Sequence, residues 1–91
     1  MARKRKLVKI LLHTKPAKIL LELVDGPKYA TVISKKIDCT YSHTVKLLDL
    51  FKDFELVEFE KKGRIKIIRL TEKGEIIARA LQNLITSISE L

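Results

Sequence analysis

Ser42, Lys46 and Asp49 recur at helical spacing in the stretch Thr40-Tyr41-Ser42-His43-Thr44-Val45-Lys46-Leu47-Leu48-Asp49, so they share one face of a predicted helix. Tyr41 and Val45 edge that face on one side, His43 and Leu50 on the other. A hydroxyl, an ammonium and small polar neighbours near a helix N-terminus can hydrogen-bond to base edges in a major groove. An ordinary amphipathic helix would show the same pattern, so the rest of the chain has to decide. A second group is Lys61-Lys62-Gly63-Arg64, in which a glycine able to make a tight turn stands among cations able to touch phosphate; Lys66 and Arg69 extend it into a basic ribbon. Charged tips also serve solubility and block edge pairing. A third is the dense run Arg3-Lys4-Arg5-Lys6, which reads either as a solvated, disordered arm or as a phosphate contact. Nothing here is arranged for catalysis. His13 and His43 are separated by a whole helix pair, no carboxylate pair lies in a recognisable motif, and the glycines are scattered. Cys39 stands alone, with neither CxxC nor HxxxH spacing around it, so no metal or cofactor is predicted, and it reads as a small buried group in the inter-helix turn.

The elements that would position these groups follow in chain order. Leu7, Val8, Leu11 and Leu12 have helical spacing, while Val8, Ile10 and Leu12 also satisfy a strand's alternation; a short helix is the preferred reading. Thr14 is placed to cap the next helix, with Pro16 in its first turn and Ala17, Ile19, Leu20, Leu23 and Val24 as its apolar stripe; Asp25-Gly26-Pro27 stops it. Lys28-Tyr29-Ala30 can form a very short strand. A helix over Thr31 to Ile37 should pack Val32, Ile33 and Ile37 against Thr44, Leu47, Leu48 and Phe51 of the helix that Thr40 caps. From Leu56 to Leu70 the apolar residues alternate with charged ones, which predicts a hairpin. Thr71 caps a last helix with acids in its first turn. Along that helix Ile77, Leu81, Leu84, Ile88 and Leu91 form a heptad seam, widened by Ile76, Ala80 and Ile85. A stripe of that breadth exceeds what so small a core can cover, which predicts a homodimer contact over packing on the N-terminal helix of the same chain.

Ninety-one residues suffice for one domain with one core. With 46% hydrophobic and 33% charged residues the composition is globular, and the net charge of +8 favours an anionic partner, nucleic acid before membrane. No uncharged apolar run approaches the ~20 residues of a membrane span. Lys9 interrupts the one run that imitates a signal peptide, and Thr14-Lys15-Pro16 offers no cleavage site. The single cysteine and the absence of an export signal point to a reducing, cytoplasmic setting, nucleoid-associated if the partner is DNA. The scarcity of Asn and Gln beside abundant Lys, Glu and Ile suggests a heat-adapted, archaeal-like source.

The order helix, helix, short strand, helix, turn, helix, hairpin, long helix resembles the winged helix-turn-helix transcription regulators over nearly the whole chain, and most of all the MarR-type and ArsR-type members. The segments that carry it are Leu12 to Leu20, Cys39 to Leu48, and Ile68-Arg69-Leu70-Thr71-Glu72-Lys73-Gly74, the last similar to the "R-L-T-x-K-G" that ends the wing in many relatives. The resemblance implies an α+β fold, mainly α with a small β-hairpin, divided into a basic arm (1–6), a winged helix-turn-helix domain (7–73) and a C-terminal dimerisation helix (74–91). It implies base-edge contacts from Ser42, His43 and Lys46, with Val45 beside them. Phosphate contacts would come from Thr40, Tyr41, Lys35 and Lys36, and wing contacts from Lys61, Lys62, Gly63, Arg64 and Lys66. The expected partner is double-stranded DNA, bound by a homodimer. Three departures stand out. Glu55 occupies the position where relatives close the recognition helix with glycine, so that end must be capped differently. Asp49 on the outward face would repel phosphate unless it pairs with Lys46 or reads a cytosine. The metal-binding cysteine pair of ArsR-type proteins is missing, and the chain has little room for the flanking helices that build an effector pocket. A non-specific architectural DNA binder and a winged-helix protein-docking module are the competing readings.

Overall fold

A computed structural model describes residues 2–91. The elements are α1 (Ala2–Leu11), α2 (Thr14–Leu23), β1 (Lys28–Tyr29), α3 (Ala30–Lys36), α4 (Tyr41–Asp53), β2 (Val57–Lys62), β3 (Ile65–Leu70) and α5 (Glu72–Ser89). The strands form one antiparallel sheet in the order β1-β3-β2. Helices on one side of a small sheet enclose a core in which Ile19, Leu20, Ile33, Phe51 and Ile68 are fully buried. This is the α+β winged-helix arrangement.

The predicted inner face of α4 is correct: Thr44, Leu47, Leu48 and Phe51 are its buried residues. On α3, Ile33 and Ile37 are buried as expected, whereas Val32 is exposed. Ala30 and Ser34 take the inward positions beside Ile33, which turns Val32 outward, near Tyr29 and Ile67. Thr40 caps α4, its side chain accepting from the His43 N–H, and Thr71 caps α5, accepting from the Gly74 N–H. Thr14 does not cap α2. The first helical bond runs from the Ala17 N–H to the His13 carbonyl, so His13 is the cap residue and Thr14 lies inside the helix. Pro16 could not fix that register, because a first-turn residue lacks a helical hydrogen bond in either case.

Two helices close on a left-handed residue that is not glycine. At the end of α3, Asp38 is left-handed (φ 54°), with Cys39 N–H bonded to the Ser34 carbonyl and Asp38 N–H to the Lys35 carbonyl. At the end of α4, Glu55 is left-handed (φ 63°), with Leu56 N–H on the Phe51 carbonyl and Glu55 N–H on the Lys52 carbonyl. Both are Schellman closures built on acidic residues, so the expectation of a different cap at the end of α4 is corrected: Glu55 takes the left-handed position that glycine would take. Thr71 Oγ1 then donates to the Glu55 carbonyl at 2.6 Å, tying the end of α4 to the start of α5.

Other expectations are corrected. The run Arg3-Lys4-Arg5-Lys6 is part of α1, so residues 1–6 are not a free arm from Ala2 onward; Met1 lies outside the described residues. The hairpin turn is Gly63-Arg64 alone, because Lys61 and Lys62 still pair with Lys66 and Ile65. Gly63 (φ 63°) takes the first central position, where a two-residue turn needs a left-handed residue. Cys39 is only half-buried. The seam on α5 is divided: Ile77 and Leu81 pack against the core of their own protomer, with Gly74 and Ala78 buried beside them. Beyond Leu81 the helix is exposed.

Candidate nucleic-acid interface

The inter-helix turn holds the start of α4 in place. Lys15 reaches from the first turn of α2 to donate to the carbonyls of both Ile37 and Asp38 at 2.7 Å, neutralising the negative end of α3 where the chain turns. The Thr44 hydroxyl, fully buried, donates to the Thr40 carbonyl at 2.9 Å. Between these anchors Tyr41, Ser42 and His43 project from the first turn of α4 and Lys46 from the second, all exposed, with Val45 half-buried behind them. Lys35 and Lys36, exposed on the last turn of α3, stand immediately before the turn that leads to Thr40. Asp49 is exposed, and among the described residues it forms no ion pair with Lys46 or any other cation. The outward face therefore carries a free hydroxyl, an imidazole, a phenol and an ammonium on a rigid support.

His13 and His43, far apart in sequence, line one groove with Leu47 and Leu50 between α1, α2 and α4. Folding α1 along the flank of α4 brings them there, which the spacing did not reveal. Among the described residues no group of three or more His, Cys, Asp or Glu is placed to hold a metal, and no helix is long and apolar enough to cross a membrane.

The hairpin divides into a free tip and a neutralised base. Lys61, Lys62, Gly63 and Arg64 are all exposed, and the three cations have no acidic partner among the described residues. Lys66 is drawn back over the Phe59 ring, 4.7 Å from its centroid, with Lys52 near the same ring at 5.0 Å. Arg69 is ion-paired with Glu60, so the expected basic ribbon ends at Lys66.

The cations of α1 lie elsewhere. Arg3 stacks on Phe54 at 4.9 Å and donates to the Asp53 carbonyl, which fixes the start of α1 at the far end of α4 from Tyr41 and Ser42. Arg3 is thus a cap for α4 and not a free phosphate ligand; Lys4, Arg5 and Lys6 are exposed. At this same end the Glu55 carboxyl is held below its ordinary range, chiefly by the hydrogen bond from Lys73 and then by that ammonium's charge.

Ile76, which lines the groove beside Arg3 and Lys4, is exposed, and so are Leu84, Ile85, Ile88 and Leu91 of the α5 region. Val8 and Leu12 are bare on α1 as well. The sequence reading missed these last two as surface groups because α1 has more apolar residues than its inner stripe needs. Leu7, Ile10 and Leu11 already supply the core contact, and Val8 and Leu12 are the remainder at i, i+4.

No family model matches the chain. An uncharacterized protein of Archaeoglobus fulgidus is 32% identical over 83 residues, which cover 86% of this chain and 87% of that protein. The crystal structure of AF1382 from Archaeoglobus fulgidus aligns with a TM-score of 0.81 at 30% identity, over 89% of this chain and 94% of that one. At 19% identity, the homodimeric winged helix-turn-helix DNA-binding domain Mb0332 of Mycobacterium bovis aligns with a TM-score of 0.75 over 98% of this chain and 80% of that one, a likeness of fold.

Proposed function

The chain belongs to one family with its Archaeoglobus fulgidus relatives, a family of winged helix-turn-helix fold, and from that premise we propose that it is a homodimeric, DNA-binding transcription regulator. The observation that carries the reading is the bare N-terminal half of α4. Its other face is locked into the core, Lys35 and Lys36 are exposed on the helix that precedes it, and at the hairpin tip Lys61, Lys62 and Arg64 are exposed without an acidic partner among the described residues. In this reading α4 enters the major groove, where Ser42, His43 and Lys46 meet base edges, while Thr40, Tyr41 and Lys36 meet phosphate. The wing tip lies on the backbone or in the adjacent minor groove. The homodimeric Mb0332 domain supports two-fold assembly. Pairing through Leu84, Ile85, Ile88, Leu91, Val8 and Leu12 would set the recognition helices about one helical turn, ~34 Å, apart on a pseudo-palindromic site. The protein would act in the cytoplasm, on the nucleoid, with no cofactor.

A second reading is favoured by one specific feature. The outward face of α4 has no arginine, asparagine or glutamine, the side chains that grip guanine and adenine through two hydrogen bonds. A DNA binder with that face can be architectural and indifferent to sequence. Fluorescence anisotropy on a random duplex and on genomically selected fragments, at low and near-physiological salt, separates the two. The regulator holds selected fragments at the higher salt, and Lys46→Ala then loses about 1–3 kcal/mol on its site and little elsewhere. Equal binding that collapses with salt on both pools would establish the architectural reading, and no binding even at low salt would sink both.

A further inference from the structure

Lys4, Arg5 and Lys6 take no part in the interface just described. They are exposed, as is Lys9 one turn on, and among the described residues none of the four has an ion-pair partner. Their position is unfavourable for the helix that carries them. The first turn of α1 contains no acid, so the cations crowd the positive end of the helix, and Arg5 and Lys9 repel each other at i, i+4. Arg3, held on Phe54 and the Asp53 carbonyl, pins the group to the C-terminal end of α4. Ser42 and His43 are near the other end of that helix, about 16 Å from Asp53 at 1.5 Å per residue, with Lys6 lying between, beside Leu50. Lys73 of α5 lines the same groove as Arg3 and Lys4. Of the acids nearby, Glu55 is already paired with Lys73, which leaves Asp53 against the cluster.

We propose that this cationic end of the protomer is a second surface for the phosphate backbone of double-stranded DNA, so that one dimer holds two duplex segments together. The inference rests on the DNA-binding reading above and extends it. Ammonium and guanidinium groups on an exposed helical turn suit backbone contact, which demands charge and no base geometry. A lipid surface fits less well: Val8 and Leu12 are the exposed apolar residues there, too few to anchor a helix in a bilayer, because Leu7, Ile10 and Leu11 are packed against the protein's own core.

The test compares the full-length wild-type chain with the Lys4→Gln/Arg5→Gln/Lys6→Gln variant, leaving Arg3 in place. One assay is single-duplex anisotropy; the other is capture of a free fluorescent duplex by a bead-bound duplex in the presence of the protein. The variant is expected to keep single-duplex affinity within about twofold while its capture falls at least about tenfold, because only the second set of phosphate contacts is lost. Its melting by circular dichroism should equal or exceed wild type, since unfavourable charges have been removed. A Lys4→Arg/Lys6→Arg variant should capture normally. Undiminished capture by the glutamine variant would overturn the proposal. So would a joint fall in capture and single-duplex affinity with a shallower salt dependence, which would place the cluster on the same duplex as α4. Wild type that binds one duplex but captures no second would overturn bridging alone, whereas wild type that binds no duplex would sink the DNA-binding reading beneath it.

Discussion

The two halves of α5 follow one heptad pattern and do opposite work. From Glu72 to Leu81 the helix is part of the chain's own core: Gly74 and Ala78 are buried, Ile77 and Leu81 pack on it, and Lys73 with the cap residue Thr71 holds the end of α4. From Gln82 onward the same spacing continues into solvent, with Leu84 57% and Ile88 58% exposed. Burying apolar surface contributes about 25 cal/mol per Å², so the inner half closes the fold, and the outer half would release the same driving force if, as proposed, a second copy covered it. Periodicity identifies the apolar face of a helix. What covers that face depends on how far the core of the protomer extends, and here the core ends near Leu81.

The largest way to break this division is at Gly74. A Cβ there would fall inside the Leu56 carbonyl group, which is backbone at the close of α4 and cannot rotate away. Gly74→Ala is expected to destabilise the fold by roughly 3 kcal/mol or more, at the upper end of what overpacking does, measured by urea unfolding. A variant as stable as wild type would mean that α5 sits farther from Leu56. Next is Leu84→Glu in the outer half. It should leave far-ultraviolet dichroism unchanged while weakening the dimer on the order of 100-fold, about 2.8 kcal/mol, by light scattering after size exclusion. An undisturbed dimer would move the interface off this face. A sharper comparison uses that monomeric variant as background. There Leu81→Ala should cost about 1–2 kcal/mol, less than a fully buried leucine, and Ile88→Ala less than about 0.5 kcal/mol, since nothing covers it in the monomer. Equal costs would erase the boundary between the halves.

Local signals were legible in the sequence and long-range ones were not. Thr40 and Thr71 as caps, the inner face of α4, and the hairpin with Gly63 in its turn all depend on residues within a few positions of one another. The cap of α2 was misread by one residue because Pro16 is compatible with either start. Asp38 was illegible as a helix closure, and Glu55 was placed at the closing position but not expected to take the left-handed conformation itself: the sequence signal for such a cap is glycine, and these positions are held by Lys15, Thr71 and Lys73, which are distant in the chain. For the same reason charge alone misjudged the cations. Arg3 and Arg69 are engaged by Asp53 and Glu60 through folding, whereas Lys61, Lys62 and Arg64 stay free because a hairpin tip brings nothing to them. Of the exposed face of α4, the outward placement of Ser42 and Lys46 followed from the helical wheel, and the brace by Lys15 was missed entirely.

The smallest expected effect tests whether the inner half of α5 also fastens α4 through charge. Lys73 Nζ donates to Glu55 Oε2 at 2.9 Å, and this hydrogen bond, then the Coulomb attraction behind it, holds the Glu55 carboxyl below its ordinary 4.5. A carboxyl with a depressed folded-state pKa contributes stability above its unfolded value and loses that contribution as the pH falls through the folded one. Wild type should therefore exceed Lys73→Met in urea midpoint at neutral pH, and the difference should close as the solution is acidified below 4.5. The gap should be small, because the two side chains are 70% and 69% exposed and water and salt screen them, and it should shrink further in high salt. A gap of constant size at every pH would show that Lys73 supports the end of α4 through its aliphatic stem, leaving the Thr71 hydroxyl and the Leu56 backbone as the polar ties between the two helices.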